Sequence, residues 1–369
     1  MNKPTVYFPE LDSLRFIAFL LVLFHHSPYP ESIKLWKTLH DYGWVGVDLF
    51  LCLSAYLFTK LLLLEHRENG DINIGFFYLR RIFRIWPLYF FFFTLMFLYS
   101  IFINGTQTQI LFRALGMVTF TDNLLTMWNG YNFAIAFSAH LWTISYEEQF
   151  YLFIPWLLRL FYRLSNTTIF YYLGITILFG VFIRVVFIAN KFAYLSIWTF
   201  PLTHFESMLG GIIVGLGLFN EIIRRIPNWL IFIIGMTSLW LVTLLPNITA
   251  TQWGLLLTYP LVGTGMSLIL AATIKGELGF LSTLFKNKKL GYLGKISYGM
   301  YVYHLVAQEF SSSIVNRFMA PEFSIAYFGV HILFTLITTI LISMVSYHFL
   351  ESPFLKIKNR FALIYSRPI

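Results

Sequence analysis

The sequence predicts an all-α protein, a polytopic membrane bundle of about ten transmembrane helices with an outer re-entrant or interfacial segment. Three observations lead there. Of the 369 residues, 58% are hydrophobic and only 12% charged, whereas a soluble domain carries about 25% charged residues. Apolar runs recur along the whole chain, each close to the ~20 residues that cross hydrocarbon. Lysine and arginine gather in short clusters between alternate runs, which is how topology is written in a membrane protein.

The first run, near 11–28, has a core at Phe16–Phe24 short enough to imitate a signal peptide. Asp12 and Arg15 precede it, His25 and His26 come after it, and no small-residue cleavage site is present, so it reads as a retained span. Further spans are expected near 44–64, 85–103, 141–161, 169–189, 202–219, 229–245, 253–273, 296–316 and 326–350. Residues 110–125 are nearly apolar enough for an eleventh. Counting them would reverse the side of every later loop. Asp122, Asn123, Asn129 and Asn132 also crowd the far end of that stretch and the loop beyond it, so a short outer helix is the better reading.

Ten spans put both termini on one side. With that side cytoplasmic, nineteen of the 26 basic residues, Lys3 and Arg367 among them, fall inside and five fall outside. The positive-inside rule then favours an inner (plasma) membrane protein, multi-pass, with both termini cytoplasmic. The 41 Phe and 22 Tyr suit lipid contact and interfacial belts. The net charge of +9 is spread over these clusters, which favours anionic membrane lipids over nucleic acid as a partner. Cys52 is the one cysteine, so no intrachain disulfide can form. No repeat, low-complexity tract or long hydrophilic linker breaks the chain. Residues 1–369 therefore read as a single membrane domain with no separate soluble domain.

The chemistry concentrates at five places. His140-Leu-Trp-Thr-Ile-Ser-Tyr-Glu147-Glu148 sets a histidine, Ser145 and two carboxylates at the head of an apolar span. An ionised carboxylate in hydrocarbon costs about 2.5–3.5 kcal/mol even on the gentlest insertion scale. Two side by side must face water, find partners or do chemistry. In a continuous helix His140 and Glu147 share a face, and adjacent Glu147 and Glu148 cannot both point the same way. On the first span, Arg15 and His26 lie eleven residues apart. That is about 20° past three full turns and about 16 Å along the axis, so they project from one face. Arg80, Arg81 and Arg84 open the third span as i, i+3 and i, i+4 neighbours. Clustered guanidinium groups are good bidentate ligands for phosphate, in a substrate or in a lipid headgroup. Ser297, Tyr301 and His304 make one polar stripe on an apolar helix, and such stripes face protein or water. Tyr347-His-Phe-Leu-Glu351-Ser-Pro closes the last span, with Glu351 available to an inner basic residue. A structural role in holding helices together is the alternative at each place. No zinc-ligand spacing, Gly-rich phosphate loop or nucleophile elbow is present, so no metal is expected.

Taken in order, these motifs resemble the acyltransferase 3 family of integral membrane acyltransferases. The likeness rests on Leu11-Asp-Ser-Leu-Arg15 followed by His26, Gly46-Val-Asp-Leu-Phe50 running to Ser54, and Arg80-Arg81-x-x-Arg84 before Pro87. It continues through His140-Leu-Trp, Ser145, Glu147-Glu-Gln-Phe-Tyr151 and Pro155, and closes with Ser297-Tyr298, His304 and Glu351-x-Pro353. The sequence departs from the family where Ser13, Phe16 and Ala55 replace frequent glycines. Those changes touch helix contact more than chemistry. The extracytoplasmic hydrolase-like domain of some members has no counterpart here, so a partner protein, a homo-oligomer or self-sufficient transfer would stand in for it.

The resemblance implies transfer of an acyl group, by family habit acetyl, from cytoplasmic acyl-CoA to a hydroxyl of a cell-surface or exported glycan. Acyl-CoA is then a donor substrate, with no bound cofactor. It implies that Arg80, Arg81 and Arg84 meet the CoA phosphates. His26 acts as base or acyl carrier, Arg15 and Glu147 or Glu148 serve it, and Ser145 or Tyr301 donates to the oxyanion, with His140 and His304 in support. Two competing readings remain: a proton-coupled transporter, which would use the same intramembrane Arg, His and Glu, and an acyltransferase drawing on a lipid-linked donor.

Overall fold

The computed structural model describes residues 6–250, 253–319 and 325–364; Lys3 and Arg367 of the topology argument lie outside the described residues. Among the described residues all regular structure is helical. In chain order the helices are α1 (Pro9–His26), α2 (Lys34–Tyr42), α3 (Val45–Asn69), α4 (Ile74–Asn104), α5 (Thr108–Val118), α6 (Asp122–Asn129), α7 (Trp142–Phe161), α8 (Asn166–Ala189) and α9 (Tyr194–Trp198). They continue as α10 (Glu206–Leu216), α11 (Asn220–Arg225), α12 (Asn228–Val242), α13 (Leu255–Lys275), α14 (Phe280–Phe285), α15 (Lys288–Lys295), α16 (Ser297–Phe318), α17 (Ile325–Ser346) and α18 (Ser352–Arg360).

Five of the helical stretches are long and apolar enough to cross a membrane: α3, α4, α8, α13 and the run from α17 into α18. Each of the other expected spans also holds a helix, but with more charge or less length. At 1.5 Å per residue, α10 rises about 16 Å and α12 about 22 Å, short of the ~30 Å of hydrocarbon. The stretch 110–125 is two short helices, α5 and α6, joined at Phe120, whose φ of 54° turns the chain sharply. Neither is long enough to span.

Helix α4 begins eleven residues before the expected start of its span. Asn73 caps it, its side chain accepting from the Phe76 N–H at 2.9 Å. The 31 residues rise about 46 Å, so the first turns, which carry the three arginines, extend beyond the hydrocarbon.

The chain packs as two compact units. One comprises residues 8–50 and 279–354. Here α1 lies against α2, α14, α15 and α16, and α16 against α17. Phe16, Phe19, Leu23, Ile296 and Met300 form its core. Between apolar helices in lipid, close packing rather than water exclusion supplies the attraction. Gly294 shows this: a Cβ there would stand 1.6 Å from the Asp12 carbonyl oxygen, so only glycine lets α15 touch the α1 backbone. The Ser13 hydroxyl adds a bond to the Phe285 carbonyl at 2.6 Å. After α17 the helix widens into a π turn, Tyr347–Glu351, that carries the buried Glu351.

The other unit comprises residues 51–278 and the described ends, 6–7 and 355–364. Helix α13 packs against α10 and α12, α4 against α5 and α7, and α6 against α7 and α9. Three buried ion pairs tie it together. Arg80 meets Glu65 at 3.0 Å, Arg113 meets Asp122 at 3.1 Å, and Arg184 meets Glu206. Arg113 also donates to the carbonyls of Tyr131, Phe133 and Ser138. It thereby organises the loop before α7, where Ala134 and Phe137 hold positive φ.

Candidate active site

In the unit of residues 8–50 and 279–354, the last residue of α1 meets α16. The His26 Nδ1 lies 2.9 Å from the Val22 carbonyl oxygen and 3.4 Å from His304 Nε2, with the two rings 5.0 Å apart. His304 is wholly buried, and its Nδ1 stands 2.6 Å from the Tyr301 carbonyl oxygen. A carbonyl oxygen can only accept, so both Nδ1 atoms carry the hydrogen when the rings are neutral. His304 Nε2 then has a lone pair for the His26 Nδ1–H, and the lone pair of His26 sits on Nε2. Gln308, one turn beyond His304, donates to the His26 carbonyl. The His26 ring also borders His25, which donates from Nδ1 to the His40 carbonyl at 2.6 Å; His40 donates in turn to the Ser27 carbonyl at 3.0 Å.

Tyr301 is buried, with its ring 5.7 Å from His304 and 5.9 Å from Phe50. Ser297, below it on the stripe, donates to the Gly294 carbonyl. Arg15 occupies the N-terminal half of α1 and is paired with Asp12 at 3.0 Å. His26, His304 and Tyr301 are thus gathered at the C-terminal end of α1, while Ser297 lies toward its other end, beside the Gly294–Asp12 contact, and Arg15 is paired three turns from His26.

The second cluster, in the unit of residues 51–278, has α4 against α7. Arg80 faces Glu65 and also donates to the Phe361 carbonyl at 3.0 Å. Glu65 accepts further from the Asn73 N–H, so Arg80 is held in a structural net. Arg81 differs. Its guanidinium lies over the Phe58 ring, 4.2 Å from the centroid, with Phe77 and Tyr151 also close. Arg84 is half-buried one turn on.

Tyr151 donates its hydroxyl hydrogen to Glu147, one turn before it on α7, and Glu148 lies beside Trp86. The adjacent carboxylates therefore diverge. Ser145 is buried next to the Tyr89 hydroxyl. His140 sits not in α7 but in the preceding 3₁₀ turn, Ala139–Leu141, buried against Phe92. The shared face with Glu147 presumed one continuous α-helix.

Three contributors gain a role only from the structure. Gln308 continues the Ser297–Tyr301–His304 stripe by one turn, and Tyr151 stands four residues after Glu147; both spacings were available. Glu65, the partner of Arg80, carried no local signal. Among the described residues no group of three or more His, Cys, Asp and Glu side chains could hold a metal ion.

Comparison with known proteins bears on this arrangement. The chain is 27% identical over 378 residues to a Staphylococcus aureus (strain COL) protein provisionally named an O-acetyltransferase, covering 96% of this chain and 58% of that one. It is 23% identical to the peptidoglycan O-acetyltransferase OatA of Listeria monocytogenes, covering 95% of this chain and 56% of that one. To the O-acetyltransferase OatA of Staphylococcus aureus (strain NCTC 8325) it is 27% identical, covering 95% and 57%. The chain thus spans 56–58% of the length of these relatives. No solved structure matches. The acyltransferase 3 profile, described as an acyltransferase domain, matches residues 8–348, nearly the whole chain, and the protein belongs to that family.

Proposed function

We propose that this chain is a membrane O-acyltransferase that moves an acyl group, acetyl first of all, from acyl-CoA to a hydroxyl of a cell-surface or exported glycan. The observation that carries the reading is the His26 imidazole. Its Nδ1 hydrogen is directed to a backbone carbonyl and a second imidazole, which leaves a lone pair on Nε2. An acyl-transfer base needs that state, because it must take the proton of the attacking hydroxyl as the thioester is opened. The names of the relatives, O-acetyltransferases and in one case a peptidoglycan O-acetyltransferase, favour acetyl and an envelope glycan.

The remaining roles come from residue chemistry. Arg81 and Arg84 take the phosphates of the donor, since Arg80 is engaged by Glu65 and Phe361. Arg15 with Asp12 anchors the inner half of α1. Tyr301, whose ring lies 5.7 Å from that of His304, is the oxyanion donor. The chain acts as one domain of ten spans in the plasma membrane with both ends cytoplasmic, needs no resident cofactor, and works alone or with a partner protein or second copy.

Purified protein in detergent, given labelled acetyl-CoA and peptidoglycan fragments, tests the reading. Release of CoA with label on a hydroxyl supports it. Label moved across a proteoliposome without CoA release would point to transport. Transfer from a lipid donor alone would replace acyl-CoA as substrate.

A further inference from the structure

The functional reading gives His26 a proton to accept but leaves open what holds the imidazole and where the positive charge goes. We propose that His304 is the positioning residue of this reaction, and that the two imidazoles share one proton path in place of a histidine–carboxylate pair. The inference rests on the assignment of His26 as base.

His304 Nδ1 faces the Tyr301 carbonyl at 2.6 Å, so its hydrogen is fixed there and Nε2 must accept. The only nitrogen of His26 that reaches Nε2 is Nδ1, at 3.4 Å, and this same Nδ1 faces the Val22 carbonyl at 2.9 Å. Both contacts of His26 Nδ1 are with acceptors, so its tautomer is set twice over. The titratable groups bordering the pair are His25 and His40, each also bound through Nδ1 to a carbonyl, and Tyr301.

The proton balance closes. The acceptor hydroxyl loses its hydrogen to His26 Nε2 as its oxygen bonds the acyl carbon. As His26 becomes cationic, its Nδ1 hydrogen passes to His304 Nε2, so the charge rests on a ring already bonded to Tyr301. When the carbon–sulfur bond breaks, the hydrogens return along the same path and the thiolate leaves as CoA thiol. This order moves the charge away from the reacting atoms, and the bond from Nδ1 to the Tyr301 carbonyl offsets the cost of charging the buried His304 ring.

The test uses the full chain in detergent with acetyl-CoA as donor and peptidoglycan fragments as acceptor. His304→Gln keeps an acceptor atom on α16 but cannot take a proton. It should lower kcat about 100-fold with little change in KM for acetyl-CoA. Solvent isotope effects in mixed H2O and D2O should change from a curved dependence in the wild type to a straight one in the variant. Equal curvature in both, or an unchanged kcat, overturns the proposal.

A second measurement is independent of turnover. In the 15N-histidine-labelled protein, His26 should carry its hydrogen on Nδ1, and His304→Gln should shift that resonance. A hydrogen on Nε2, or no shift, overturns the proposal even if the wild type proves inactive with acetyl-CoA. That inactivity would count against the acyl-CoA reading alone.

Discussion

Two ways of keeping polar groups inside an apolar protein stand side by side in this molecule. In the unit of residues 51–278, the buried cations Arg80, Arg113 and Arg184 each meet a carboxylate, and each also donates to backbone carbonyls. In the unit of residues 8–50 and 279–354, the histidines 25, 26, 40 and 304 meet backbone carbonyls through Nδ1. A buried ion pair is a fastening: removing one partner strands a charge at high cost. A neutral imidazole held at one nitrogen keeps a reactive atom at the other. The contrast teaches where to look for chemistry, which is among groups that are oriented yet unfinished. Arg81 has the second pattern within the first unit, its guanidinium resting on aromatic rings.

The sharpest way to break the comparison is His26→Ala. It should lower transfer by at least about 10²–10⁴-fold with no loss of monodisperse protein. Full activity in that variant would sink the reading of His26. Arg113→Leu should do the reverse. Breaking this pair costs about 3–5 kcal/mol, so folded yield and the thermal midpoint in detergent should drop before any kinetic measurement is made. A variant as stable as the wild type would show that such pairs are not fastenings.

Arg84→Glu and Arg81→Gln come next. Each removes charge-assisted bonds of about 1.5–3 kcal/mol, so apparent affinity for acetyl-CoA should fall about tenfold with little effect on stability. Arg80→Gln should destabilise and leave affinity alone, and the opposite split would reverse the roles given to these neighbours.

The smallest effect belongs to the half-exposed pair of Asp71 and Arg159. The Ile72 N–H, with the Arg159 guanidinium, holds the Asp71 carboxyl below its ordinary range. A carboxyl lowered on folding contributes stability above its unfolded value and loses it as pH falls through the folded one. Asp71→Asn should therefore differ from wild type by little at neutral pH and not at all in strong acid. A large difference at pH 7 would mean that surface pairs count as much as buried ones here.

How much of this was written in the sequence depends on whether the signal was local. The helical membrane class is evident from apolar runs that any window reveals. The stripe Ser297–Tyr301–His304 and the cluster Arg80–Arg84 are visible because helical spacing alone defines them. The break of 110–125 into the short helices α5 and α6 is legible from the polar residues at Asp122–Asn132. The pairing of His26 with His304, across 278 residues, was not, because no local pattern says which helix lies beside which. For the same reason nothing near Arg184 points to Glu206, and Glu65 carries no sign of its bond to Arg80. The early start of α4 was hidden by its own arginines, which look like a loop until the Asn73 cap is seen.

One consequence concerns the surrounding lipid. Helices α10 and α12 are shorter than the hydrocarbon of an ordinary bilayer. Mismatch costs fractions of a kcal/mol per ångström, and a bilayer commonly relieves it by drawing its leaflets together. Helix α10 is enclosed by protein, but next to α12, which exposes Trp229, Ile233, Met236 and Trp240, the membrane would be locally pinched. Short-chain phospholipids should then suit the protein better than long-chain ones, and fatty-acid composition becomes a setting that cells could turn without touching the sequence.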